Sequence, residues 1–260
     1  MTDVMFADTQ SDPIAASATH LRTLGIDAHP GFFDRRSQCR VRLCTPRRDP
    51  EMWRQYLDGA LHSYQAYGVV SALEYDRIED GASTTLFFVV EDSQGAIVGG
   101  VRCQGPYTFA DEAHAVEEWE GCVGQDAVRQ LVADRLDDGV VELKTGWVAP
   151  DAKNKSAISD VISRCILHAT AIWNVKYAVG TGADHVLPLW RKSGGLPVEE
   201  IPAAAYPTDR YRTKLVWWDR ETFADVADHG QVLTTLSEWM DLADSIGLPT
   251  DRFNVALAKL

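Results

Sequence analysis

Paired cysteine, net basic charge and long apolar runs are all missing from this chain, and each shortage removes a class of protein. The five cysteines, Cys39, Cys44, Cys103, Cys122 and Cys165, are odd in number and show neither CxxC nor Cys/His metal spacing. They fit neither a disulfide framework nor a zinc site, and a reducing cytoplasm with no metal is the expectation. Against 38 acids stand only 25 lysines and arginines, a net charge of -13. The resulting pI near 4.9 leaves no overall positive field to attract a nucleic acid. No apolar run approaches the ~18 residues of a membrane span, and the opening MTDVMFADTQ carries acids where a signal peptide carries bases. An acidic, soluble, cytoplasmic enzyme is the class left standing.

At 260 residues, 45% hydrophobic and with eight tryptophans, the chain can bury a large core. The reading is an N-terminal appendage over 1–38, a main domain over 39–220 and a C-terminal helical extension over 221–260. The appendage holds a candidate helix from Ser11 to Leu24 and a turn at His29-Pro30-Gly31. Arg35, Arg36, Arg40, Arg42, Arg47 and Arg48 follow in a stretch without acids. They offer either a dock for an acidic partner or ordinary pairing with the protein's own carboxylates.

Asp49-Pro50 predicts a helix start, with Trp53, Tyr56, Leu57, Ala60, Leu61 and Tyr64 as its apolar stripe. Thr84 to Glu91 and Ala96 to Arg102 flank Asp92-Ser93-Gln94-Gly95 as a β-hairpin. Gly99 and Gly100 suggest a bulge or a close backbone approach there. A helix or helix pair follows from Glu117 to Leu136, broken near Gly121 to Gly124. Between Val140 and Gly195 come a strand, a basic turn (DAKNKS), an amphipathic helix and a strand from Tyr177 to Gly182. The helix stripe is Ile158, Val161, Ile162, Cys165, Ile166, Ala169 and Ile172. Free N–H groups at its N-terminus, with Lys153 and Lys155, suit a phosphate-bearing ligand or simply connect strand to helix. Leu196 to Ile201 and Thr213 to Trp218 can pair as strands, and a last helix carries Val232, Leu233, Leu236, Trp239, Met240 and Ala243.

That order of elements resembles the GNAT-type N-acyltransferase superfamily over about residues 40 to 220. The resemblance implies a mixed α/β fold whose central sheet, flanked by helices, splays beside Val140 to Val148 to open a donor cleft. In the family's phosphate loop, Pro-x-x-Arg-Gly-x-Gly-x-Gly/Ala, Pro150 matches and Lys153 takes the arginine position. Asn154, Ser156 and Ile158 stand where the family has glycines. The loop Lys153, Asn154, Lys155, Ser156, Ala157 and Ile158, with Val148, is thereby the implied donor-binding set. Leu189-Trp190-Arg191-Lys192-Ser193-Gly194 resembles the family segment in which a tyrosine protonates the leaving thiolate. Trp190 takes that position and can donate a hydrogen bond but not act as the acid.

A closer resemblance is to the acyl-homoserine lactone synthase-like branch. Glu74-Tyr75-Asp76-Arg77-Ile78-Glu79 precedes the hairpin, Gly99-Gly100-Val101-Arg102 ends it, Pro106 follows, and Glu142-Leu143-Lys144-Thr145 lies in the next strand. The branch's arginine is absent at Thr145, so its lactone product is not implied. The resemblance implies transfer of an acyl group from an acyl thioester, acyl-coenzyme A or an acyl-carrier protein, to a small amine. Glu142 is the candidate base, or else a structural partner of Arg102. The N–H of Trp147 or Val148 is the implied oxyanion donor. Glu74, Asp76, Glu79 and Arg102 are the candidate acceptor contacts. The alternatives are a non-catalytic acyl- or ligand-binding protein and an interaction module using the arginines.

Overall fold

The computed structural model describes residues 30–258. The candidate helix from Ser11 to Leu24 and residue His29 lie outside them. Among the described residues eight strands form one open sheet in the order β1-β2-β3-β4-β5-β6-β8-β7. They are β1 (Gly31–Asp34), β2 (Cys39–Cys44), β3 (Leu86–Glu91), β4 (Ile97–Gln104), β5 (Val140–Val148), β6 (Tyr177–Ala183), β7 (Leu196–Pro197) and β8 (Thr213–Asp219). All neighbours are antiparallel except β5 and β6, which run parallel. The mixed, open α/β sheet flanked by helices is the fold class expected from the sequence.

Alternation along β3 explains how the sheet is covered on both sides. Leu86, Phe88 and Val90 pack under α5 (Lys155–Trp173), whereas Phe87 and Val89 pack against Trp53, Tyr56 and Leu57 of α1 (Pro50–Ala66). Toward β6 and β8 the α1 face is continued by a further core around Trp119, Val128 and Trp217. Short helices α2 (Tyr75–Ile78) and α3 (His114–Glu118), with α4 (Gln125–Ala133), border that face. Gly121 and Gly124, both with positive φ, break the chain between α3 and α4 where the sequence placed a break.

Gly100 meets the close approach expected of it. A Cβ there would lie 2.5 Å from the Phe88 carbonyl oxygen and 2.9 Å from the Tyr56 ring.

Three expectations are corrected. Gly31 opens β1, hydrogen-bonded to β2, so the sheet begins inside the segment read as an appendage. β7 spans only Leu196 and Pro197, not Leu196 to Ile201, and Pro197 has no N–H to give the ladder. The terminal helix α7 (His229–Ile246) packs on β1 and α5 and is part of the main core. Of its stripe, Leu233 and Met240 are instead exposed, at 51% and 61%. The buried line runs through Val232, Leu236, Trp239 and Ala243. A short helix α8 (Asn254–Leu257) follows.

A buried polar knot holds this end of the molecule. Arg164 on α5 donates to Glu238 at 2.7 and 2.8 Å, to Gln231 at 2.6 Å and to Asp34 of β1 at 2.8 Å. His168 lies 3.1 Å from the same Glu238 carboxylate. Burial opposes ionisation of Glu238, but hydrogen bonds from His168 and Arg164 outweigh it and lower its pKa.

Candidate functional site

β5 and β6 pair only at Val140↔Tyr177, Val141↔Ala178 and Glu142↔Val179, although both strands continue. Beyond Glu142 they part, and the gap opens into a cavity of about 600 Å³. This is the splay expected beside β5. On the α5 side the cavity is apolar, lined by Leu143, Ile162, Ile166 and Trp190 of α6 (Leu187–Lys192). Gly182 lets that indole close in, since a Cβ would stand 2.7 Å from Trp190 Nε1.

The other side is charged. Lys144 Nζ donates to Glu118 Oε1 and lies 2.8 Å from His114 Nδ1. His114 Nδ1 is 3.1 Å from Glu118 Oε1, and Nε2 is 2.6 Å from Glu74 Oε2. Arg77 braces the rim through Glu74 at 3.0 Å and Glu117 at 2.9 Å. The Glu118 side chain is fully buried. Burial works against its charge, yet the Lys144 ammonium and His114 hold the carboxyl down to about 2. Burial pushes the nearby Tyr64 hydroxyl up to about 12. Glu118 Oε2, Tyr206 Oη and Trp190 Nε1 are buried without a hydrogen-bond partner, and all three belong to cavity-lining residues. Such orphaned groups are uncommon in folded proteins and point to a ligand.

No family model matches the chain. An uncharacterized protein of Mycobacterium bovis is 46% identical over 202 residues, 78% of this chain and 77% of that one. An uncharacterized protein of Mycobacterium tuberculosis matches to the same extent. The chain belongs to their family. Among solved structures, an N-acyl amino acid synthase from uncultured soil microbes aligns with TM-score 0.49 and 12% identity, over 74% of this chain and 96% of that one. A putative phosphinothricin N-acetyltransferase aligns at 0.46 and 16%, over 69% and 98%. The spermidine N-acetyltransferase of Vibrio cholerae in complex with CoA and spermine aligns at 0.42 and 14%, over 72% and 98%. At these scores and identities nothing about activity follows from the likeness.

The sequence-derived site residues divide sharply by position. Glu142 is 0% exposed and outside the cavity lining. Its carboxylate accepts hydrogen bonds from Tyr107 Oη at 2.7 Å and from the N–H groups of His114 at 2.7 Å and Ala115 at 3.0 Å. It caps the N-terminus of α3, and it does not touch Arg102, which bonds instead to Thr145 and Thr84. Both alternatives read for Glu142, base and partner of Arg102, miss this arrangement. Of the acidic trio, Glu74 reaches the charged wall, while Asp76 and Glu79 are exposed.

Trp147, Val148 and Trp190 line the cavity. In the turn, Lys153, Asn154, Lys155 and Ser156 are exposed, and the Lys155 ammonium donates to the Pro150 carbonyl. Ala157 and Ile158 are buried, Ile158 in the core under the sheet, which withdraws their side chains from any ligand. Asn154 has φ +56 and so adopts a glycine-like backbone conformation. It makes no side-chain cap, and no acid stands in the first turn of α5.

His114, Glu118, Lys144 and Tyr206 were not singled out from sequence. The only local signal was the i, i+4 spacing of His114 and Glu118, lost by starting the helix at Glu117. The arginine cluster is partly consumed internally: Arg36 pairs with Asp160 at 3.0 Å, Arg42 with Glu91 at 2.7 Å and Arg48 with Asp49 at 3.0 Å. That pairing weakens the interaction-module reading. Among the described residues no helix is long and apolar enough to cross a membrane.

Proposed function

We propose that this chain is an N-acyltransferase, an enzyme moving an acyl group other than an aminoacyl group from a thioester to a small amine. The observation that carries the reading is the cleft between the parted ends of β5 and β6, apolar toward α5 and charged toward α3. An acyl thioester lies along the α5 side, its phosphates at the exposed turn of Lys153 to Ser156 and the open N–H groups of α5. The donor is acyl-coenzyme A or an acyl-carrier protein. The amine approaches from the wall of Glu118, Lys144 and Tyr206, where the unpartnered Glu118 Oε2 and Tyr206 Oη accept hydrogen bonds from its N–H groups.

An attacking amine must shed a proton, and Glu142 is sealed away from it. A carboxylate held near 2 is too weak a base, so the proton passes to the His114 imidazole, which stands behind the wall in contact with Lys144 and Glu118. The amine nitrogen bonds to the carbonyl carbon and the carbon–sulfur bond breaks. The backbone N–H of Trp147 or Val148 steadies the oxyanion, and the leaving thiolate takes its proton from the imidazolium or water, because the Trp190 indole cannot supply it.

Trp190 motivates a second reading, an acyl- or ligand-binding protein without turnover. Thiol release from acetyl- and longer acyl-coenzyme A, with and without a panel of primary amines, separates the two. Amine-dependent release supports the enzyme, and saturable thioester binding without release supports the binder.

A further inference from the structure

Within β5, Thr145 has φ +51, a left-handed conformation that a β-branched residue rarely adopts. The ladder to β4 shifts register here: Gly100 pairs with Trp147 and Arg102 with Lys144, leaving Val101 opposite both Thr145 and Gly146. The strand thus bulges at Thr145, beyond its last pairing with β6 at Glu142, and a bulge re-aims the side chains on either side of it. Strain of this kind persists where the surroundings over-determine it.

Those surroundings are specific. Tyr56 Oη on α1 donates to the Thr145 carbonyl at 2.5 Å, and Arg102 Nε donates to Thr145 Oγ1 at 3.1 Å. Arg102 Nη1 is steadied by Thr84 Oγ1 at 3.4 Å. Tyr56 is fully buried, stacked on Trp53 at 5.2 Å between ring centroids and wedged against Phe87 and Trp147. Arg102 is 2% exposed. Its partners are hydroxyls, an expensive way to bury a guanidinium if its only task were to join two strands. On one side of the bulge Lys144 reaches Glu118. On the other, Gly146 to Val148 run along the cleft with no pairing to β6.

We infer that Tyr56 and Arg102 are positioning residues: together they clamp the Thr145 bulge and set the angle at which β5 presents Lys144 and the backbone of Gly146 to Val148 to a ligand. The effect on turnover rests on the acyltransferase reading; the clamp itself does not.

Amide hydrogen exchange over residues 143–149 and acetyl-coenzyme A turnover with primary amines, on the full chain, test the two parts separately. In Tyr56→Phe and Arg102→Gln, exchange in this segment should rise about tenfold, the loss of one hydrogen bond, while α5 is unchanged. Turnover should fall about ten- to hundredfold with donor KM nearly constant. Arg102→Lys, which keeps the charge, serves if Arg102→Gln does not fold. Exchange that is unchanged, or that rises equally in α5, overturns the clamp. Faster exchange with unaltered turnover overturns the positioning role. If the wild-type chain transfers no acyl group yet exchange responds as stated, the clamp stands and the acyltransferase reading falls.

Discussion

Glu142 and Glu118 are both buried carboxylates, and what surrounds each decides its task. Glu142 spends its oxygens on a tyrosine hydroxyl and two backbone N–H groups. Glu142→Gln should therefore cost about 2 to 4 kcal/mol in urea unfolding through lost charge-assisted bonds. Turnover per folded molecule should stay near normal. A large loss of turnover in a protein of unchanged stability would return Glu142 to the chemistry. Glu118 keeps one oxygen unpartnered at the cleft. Its folded pKa, about 2, lies below the ordinary glutamate value of 4.5, so between those values the unfolded chain binds more protons. The stability that Glu118 contributes is complete above about pH 4.5 and is lost as pH falls through about 2. Urea titrations should show wild type weakening more steeply than Glu118→Gln across that window; parallel curves would contradict the assignment.

At the scale of elements, α5 is the axle of the molecule. Its N-terminal turn faces solvent, and its Arg164 ties β1 and α7 to the core. Lys153→Ala should weaken binding of coenzyme A by about ten- to hundredfold, one charge-assisted hydrogen bond, without altering the melting temperature. Arg164→Met strands Asp34 and Glu238 as buried charges and should destabilise by about 3 to 5 kcal/mol in urea titrations; a neutral outcome would mean the knot is not coupled to folding. Helices α1 and α5 and the hairpin of β3 and β4 were legible in the sequence because their signals are local: stripes at helical spacing, Asp49-Pro50, and a turn between two short β-prone runs. The two sides of α7 were not separated, since Leu233 and Met240 are as apolar as the buried Val232 and Trp239. Only the packing of β1 and α5 chooses the inward face.

For the molecule as a whole, the cleft was expected from the resemblance that the order of elements carries, whereas its charged wall was not. Glu74, the helix that carries His114 and Glu118, Lys144 and Tyr206 come from separate stretches that only the folded chain brings together. Charge is also distributed unevenly: an acidic chain carries an arginine-rich segment of which Arg36, Arg42 and Arg48 are internally paired. Arg47 is exposed. If the donor is an acidic carrier protein, Arg47→Glu should slow its use at low salt and leave acyl-coenzyme A rates unchanged; equal effects on both donors would remove the carrier. The central claim is that the cleft brings a thioester and an amine together, and the direct measurement is thiol release from acyl-coenzyme A by wild type and Glu118→Gln. The account predicts release by wild type that depends on a primary amine and falls at least tenfold in the variant. No amine-dependent release with any donor, or equal rates in the two proteins, would contradict it.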